Sequence, residues 1–237
     1  MQDHWKLEEI LSDRVHGSTF LAKKILELIV VDNPTKSELR EIKYQIDTIF
    51  SGMRIFDIIF KNLLNSDSII SEANNLSKLL ETGTELLVKQ LQQFNLKEKN
   101  IMTFSYSQTV KEIISSMEFE HVICMTSDPG GEGKQLAKEL QVDLVQDDEG
   151  YGMIQNHQID AILIGCDTYT SSGVIINKIN TQKLIDDAFG HNIPIYILAS
   201  QFKLAENILD PENELLEKVL LKTNCRIITE NSVITSE

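Results

Sequence analysis

Asp167, Asn177 and Lys178 are the residues of this chain whose types and spacing best suit chemistry on a small ligand. The apolar run Asp160-Ala-Ile-Leu-Ile-Gly165 reads as a buried strand that leads through Cys166 into the carboxylate of Asp167. A polar loop containing Gly173 follows, and Asn177 and Lys178 then stand at the mouth of a new helix. A further apolar stretch, Pro194-Ile-Tyr-Ile-Leu-Ala-Ser-Gln-Phe-Lys203, ends in a second lysine. In an open α/β sheet, ligands sit at the carboxyl ends of the strands. One carboxylate, one amide and one ammonium meeting there suit a phosphorylated polyol. Lysine offers phosphate a compact charge, and asparagine can hydrogen-bond a hydroxyl.

The elements that must position these groups change character near residue 97. Before it, apolar residues recur at helical spacing, as in Phe20, Leu21, Ile25, Leu28 and Ile29, then Leu39, Ile42, Ile46, Ile49 and Phe50. Asn33 with Pro34 reads as a helix start. A long helix is predicted from about Ser68 to Gln93, with Asp67 as its N-cap and Gly83 as a weak point inside it. After Leu96-Lys-Glu-Lys-Asn100, short apolar runs alternate with amphipathic ones. Ile101–Phe104, Val122–Met125, Ala161–Ile164, Ile195–Leu198 and Arg226–Thr229 read as buried strands, and Gln108–Met117, Lys134–Leu140 and Thr181–Gly190 as helices. That alternation predicts an α/β fold with a doubly wound, mainly parallel sheet. Asp147-Asp148-Glu149, before Gly150, reads as a solvated loop.

The formal net charge is −14, from 22 basic and 36 acidic residues among 237. Such a surface repels phosphate backbones at long range, which argues against direct DNA or RNA binding. Cys124, Cys166 and Cys225 are widely spaced, fit no disulfide framework or metal spacing, and read as free buried thiols of a cytoplasmic protein. His4, His16, His121, His157 and His191 show no ligand-like pairing, so neither a metal nor another cofactor is expected. Met1-Gln-Asp-His-Trp-Lys6 has no apolar secretory core, and no run is long enough to span a membrane. Gly130-Gly131-Glu132-Gly133-Lys134 fails the nucleotide P-loop template and reads as a strand-to-helix turn, with a residual capacity for an anion.

In order along the chain, Ile101-Met-Thr-Phe-Ser-Tyr-Ser107, Thr126-Ser-Asp-Pro129 with Gly133-Lys-Gln-Leu-Ala-Lys138, and the two stretches around Asp167 and Lys203 resemble the translation initiation factor 2B alpha/beta/delta regulatory-subunit family. Ser12-Asp-Arg-Val-His-Gly-Ser18 is a weaker echo of the same family's N-terminal element. That family shares its fold with two sugar-phosphate isomerases, for methylthioribose-1-phosphate and ribose-1,5-bisphosphate. The resemblance implies an N-terminal helical domain, here residues 1–96, followed by a Rossmann-like domain, residues 97–237, and dimerisation through the latter.

The resemblance also assigns roles. Asp167 aligns with the carboxylate that moves a proton in the isomerases, a task that needs a pKa near neutrality. Ser105 falls where the isomerases carry a catalytic cysteine, and a hydroxyl cannot replace a thiol in proton shuttling. Cys166 precedes Asp167 and is expected to face the other way. Asp128 and His16 fall where the isomerases use arginines. Gly17 follows His16 in the N-terminal element, while Asn177, Lys178 and Lys203 keep the family pattern near the ligand. The expectation is a noncatalytic regulatory or scaffold subunit, a homodimer with initiation factor subunits as further partners, that binds a nucleotide or sugar phosphate. The alternative is a divergent aldose–ketose isomerase working through Asp167 with Ser105.

Overall fold

The computed structural model describes residues 6–235; His4 and the N-terminal stretch Met1–Trp5 lie outside them. Among the described residues, five helices come first: α1 (Leu7–Ser12), α2 (Ser18–Asp32), α3 (Lys36–Ile49), α4 (Arg54–Asn65) and α5 (Ile69–Gln92). Their apolar faces close on one another through Leu21, Ile25, Ile29, Leu39, Ile46, Phe56, Phe60 and Leu80, all buried. Phe202, from far along the chain, completes that cluster.

Two helix starts differ from the sequence reading. Asn33 adopts a left-handed conformation, φ 47°, and ends α2 instead of opening the next helix. The start of α3 is set by Thr35 and Glu38, a reciprocal capping box in which Glu38 Oε2 accepts the Thr35 N–H at 2.7 Å. Ser68 caps α5 in place of Asp67, its Oγ accepting the Ser71 N–H at 3.4 Å. Gly83 inside α5 has a reason to be glycine: a Cβ there would lie 2.8 Å from Glu230 Oε1.

From Asn100 the chain winds a sheet. β1 (Asn100–Thr103), α6 (Gln108–Ser116), β2 (His121–Met125), α7 (Glu132–Leu140), β3 (Asp143–Val145), α8 (Asp147–Gln155) and β4 (Ala161–Gly165) are followed by β5 (Thr168–Tyr169) and β6 (Val174–Lys178). Then come α9 (Thr181–Gly190), β7 (Ile195–Leu198), a 3-10 turn (Gln201–Lys203), β8 (Leu216–Leu220), β9 (Cys225–Ile228) and β10 (Val233–Thr235). The large sheet runs β10-β9-β7-β4-β1-β2-β3, parallel except for the edge strand β10. The predicted doubly wound, mainly parallel sheet is therefore present. Its buried strands carry Met102, Ile162, Ile164, Ile195 and Ile197 toward one face, and Ile101, Leu163, Tyr196 and Leu198 toward the other.

A second, antiparallel sheet, β5-β6-β8, builds β5 and β6 from the segment expected to be a polar loop and pairs β6 with β8, a strand outside the sequence reading. It makes Asn177 and Lys178 the end of a strand, three residues before α9 begins, where the sequence reading put a helix mouth. Asp147-Asp148-Glu149 is likewise no solvated loop but the first turn of α8, where acidic side chains complement the helix dipole. No helix among the described residues is long and apolar enough to cross a membrane.

Candidate functional site

β1 and β4 lie side by side at the centre of the large sheet, and the chain leaves them in opposite directions, through β2 and β3 on one side and β7 and β9 on the other. This is a topological switch point, where open α/β sheets leave a crevice. Ser105 stands just past β1 and Asp167 just past β4. Asn177 and Lys178 come from β6, Lys203 from the 3-10 turn, and His16 and Gly17 from the approach to α2. All seven line one cleft, which encloses about 90 Å³. Phe50 and Met53 of the helical part cover it.

The charged groups inside are deeply set. Lys178, Lys203, Asp167 and Asn177 are 4%, 3%, 8% and 7% exposed. Lys178 Nζ donates to Glu132 Oε1 at 2.7 Å and to the Pro129 carbonyl. Lys203 Nζ donates to the carbonyl of Cys166 at 2.7 Å. Asn177 Nδ2 donates to Thr181 Oγ1 at 3.1 Å. The lysine of the Asn-Lys pair is thus a buried, bonded cation rather than a solvated one.

His16 Nδ1 lies 2.7 Å from Asp13 Oδ2, and its ring stacks on Phe20 at 3.9 Å and meets Tyr106 edge-on at 4.7 Å. Burial pushes the Asp13 carboxyl up, but hydrogen bonds from His16 and from the His16 and Val15 N–H groups outweigh it and hold the group below its ordinary range. Gly17 packs against the Tyr106 carbonyl, where a Cβ would come within 3.0 Å. Ser105 has φ 66°, and its N–H donates to Ser127 Oγ at 2.6 Å.

Some expectations are corrected. Asp128, aligned with a ligand-holding arginine of the isomerases, is exposed and does not line the cleft, and its N–H donates to Asp147 Oδ2 at 2.8 Å. Cys166 does line the cleft, but it belongs to the apolar cluster with Tyr169 and Ile175, and burial pushes its thiol up to about 12. Two residues were missed. Glu132, read as part of a glycine turn, is buried in the cleft wall. Asp147 gathers the Thr126 hydroxyl and the Ser127 and Asp128 N–H groups at 2.7–3.0 Å. An acid at a helix start, just past a strand, was the legible signal for Asp147. Among the described residues no group of three or more His, Cys, Asp or Glu is arranged to hold a metal.

The model of the initiation factor 2 subunit family matches residues 29–231. This chain belongs to that family. Five of the seven cleft residues fall inside the match, and His16 and Gly17 lie before it. A Pyrococcus furiosus protein named putative translation initiation factor eIF-2B subunit 2-like is 26% identical over 238 residues, 93% of this chain and 86% of that one. Methylthioribose-1-phosphate isomerase of Schizosaccharomyces japonicus is 24% identical over 210 residues, 81% of this chain and 58% of that one. The crystal structure of translation initiation factor eIF-2B from Pyrococcus horikoshii superposes with a TM-score of 0.82 at 22% identity, covering 97% of this chain and 95% of that one. Members of the family thus include both initiation factor subunits and isomerases, on one fold.

Proposed function

We propose that this chain is a regulatory or scaffold subunit of the initiation factor 2B type that holds a sugar phosphate or nucleotide in the cleft without transforming it. The observation that carries this reading is the chemistry around Asp167. Ser105 supplies an alcohol where the isomerases carry a thiol, and Cys166, the cysteine lining the cleft, is 3% exposed with its thiol pushed up to about 12. At neutral pH that leaves Asp167 without a thiol partner able to exchange protons. The cleft keeps cations and hydroxyl-binding groups, which suit retention of a ligand. Self-association and pairing with other initiation factor subunits in the cytoplasm belong to this reading, and a relative named as an eIF-2B subunit supports the pairing.

A second reading is a divergent sugar-phosphate isomerase, favoured by Asp167, Asn177 and Lys178 sharing one buried cleft. The deciding experiment incubates purified protein with ribose-1,5-bisphosphate and methylthioribose-1-phosphate and follows products by NMR. Binding without turnover supports the regulatory reading, and recovery of initiation factor subunits with the tagged protein supports the translational role. Turnover abolished by Asp167→Asn overturns it in favour of catalysis.

A further inference from the structure

Glu132 opens α7 and lines the cleft, with 7% of its surface exposed. A helix start favours a carboxylate, and Lys178 pairs with Oε1 at 2.7 Å. Those two facts account for its charge but not for its other oxygen. Oε2 is shielded from solvent and has no hydrogen-bond partner. A buried carboxylate oxygen left unpaired is destabilising, and natural structures avoid it unless it serves a purpose.

The surroundings are shaped to keep the pair in place. A Cβ on Gly130 would lie 2.7 Å from Glu132 Oε1 and 2.8 Å from Lys178 Nζ, so a side chain there would displace it. Glu132 also lines an outer groove of about 1090 Å³, which shares the segment Asp13–His16 with the inner cleft. It therefore stands on the boundary between the two.

We propose that Glu132 sets the class of ligand the cleft takes. Its Oε2 accepts a hydrogen bond from a ligand hydroxyl, and its hold on Lys178 withholds that ammonium from phosphate. A second phosphate arriving at this end meets a carboxylate in a region of low dielectric, where repulsion is strong. The inference rests on the reading of the cleft as a sugar-phosphate site. It narrows that class to monophosphates that present a hydroxyl at the Glu132 end, at the expense of bisphosphates.

Ribose 5-phosphate and ribose-1,5-bisphosphate form a matched pair of probes, differing by a hydroxyl or a phosphate on one carbon. Titration calorimetry on the full chain is expected to show the monophosphate binding at least about tenfold tighter, as a hydrogen bond to a charged acceptor predicts. In Glu132→Gln the preference is expected to move toward the bisphosphate by about tenfold or more. An unchanged ratio in a folded Glu132→Gln protein overturns the inference and leaves the sugar-phosphate reading standing. Failure of both sugars to bind the unaltered protein overturns both. A measurement on the unaltered chain guards against a variant that does not fold: the carboxyl 13C resonance of Glu132 should shift with ribose 5-phosphate but not with inorganic phosphate. Saturation by ribose 5-phosphate with no shift at Glu132 overturns the inference.

Discussion

The N–H of Ser105 donates to Ser127 Oγ at 2.6 Å, and both residues hold left-handed backbone, with φ 66° and 65°. The two loops that leave β1 and β2 are thereby tied together at the floor of the cleft. Ser127 Oγ in turn donates to the Met125 carbonyl at 3.0 Å, and the Ser127 N–H is held by Asp147 at 2.7 Å. Asp147→Ala leaves two N–H groups and one hydroxyl without their charged acceptor. Chemical denaturation should show a loss of about 2–3 kcal/mol, and the amide resonance of Ser105 should move although Asp147 does not touch it.

Acid should release the helical part from the sheet. Glu112 of α6 accepts from Lys23 of α2 at 2.6 Å, from Thr84 of α5 at 2.7 Å and from Gln108 at 2.8 Å. Burial raises its carboxyl, and these partners outweigh burial and hold it below its usual 4.5. Glu139 is drawn down to about 2, with burial opposed by Lys111, Gln135 and Tyr106. A carboxyl depressed in the folded state contributes stability that is present above its unfolded pKa and lost as pH falls through the folded one. Urea midpoints should therefore fall from about pH 4.5 downward, and Glu112→Gln should lower the neutral-pH midpoint and flatten that fall. An unaltered slope in the variant would count against the network.

Two glycines make opposite predictions. Gly133, buried at the start of α7, faces the Met125 carbonyl so closely that a Cβ would sit 1.8 Å from its oxygen. Gly133→Ala must push α7 away from β2, at a cost of at least about 3 kcal/mol. Gly152, inside α8, has nothing within 4 Å of a built Cβ. Gly152→Ala should stabilise by about 0.5–1 kcal/mol, because alanine loses less backbone entropy in a helix. Thermal melts of the two variants should move in opposite directions.

What could be read in advance follows burial. Ala161–Gly165 and Ile195–Leu198 are buried on both faces, so their continuous apolar runs announced them as strands. β3 has an exposed Asp143 and Leu144, and β6 ends in Asn177 and Lys178, so neither carries that signature. The second sheet went unread for this reason. Asp167 and Lys203 were legible because they follow strand-like runs, Asn177 and Lys178 because an amide and an ammonium stand together just before a helix, and Ser105 and His16 because family resemblance marked them. Glu132 was not, because its role depends on Lys178, 46 residues away, and no local pattern reports such a pairing.

Phe202 tests how the cleft is held shut. It is 8% exposed and inserts into the helical cluster, although the chain around it belongs to the 3-10 turn after β7. Its neighbour Lys203 lines the cleft and is bonded to the Cys166 carbonyl. Phe202→Ala removes the apolar anchor of that turn and should cost about 3–5 kcal/mol. Leu209→Ala, at a residue 87% exposed, should stay within about 0.5 kcal/mol of the parent. Hydrogen exchange separates anchoring from a general loss of stability. In Phe202→Ala the Lys203 and Leu204 amides, bonded to the Ser200 and Gln201 carbonyls, should exchange faster than the global change accounts for. Equal acceleration across the sheet would mean that Phe202 serves the core alone and does not fix the lysine.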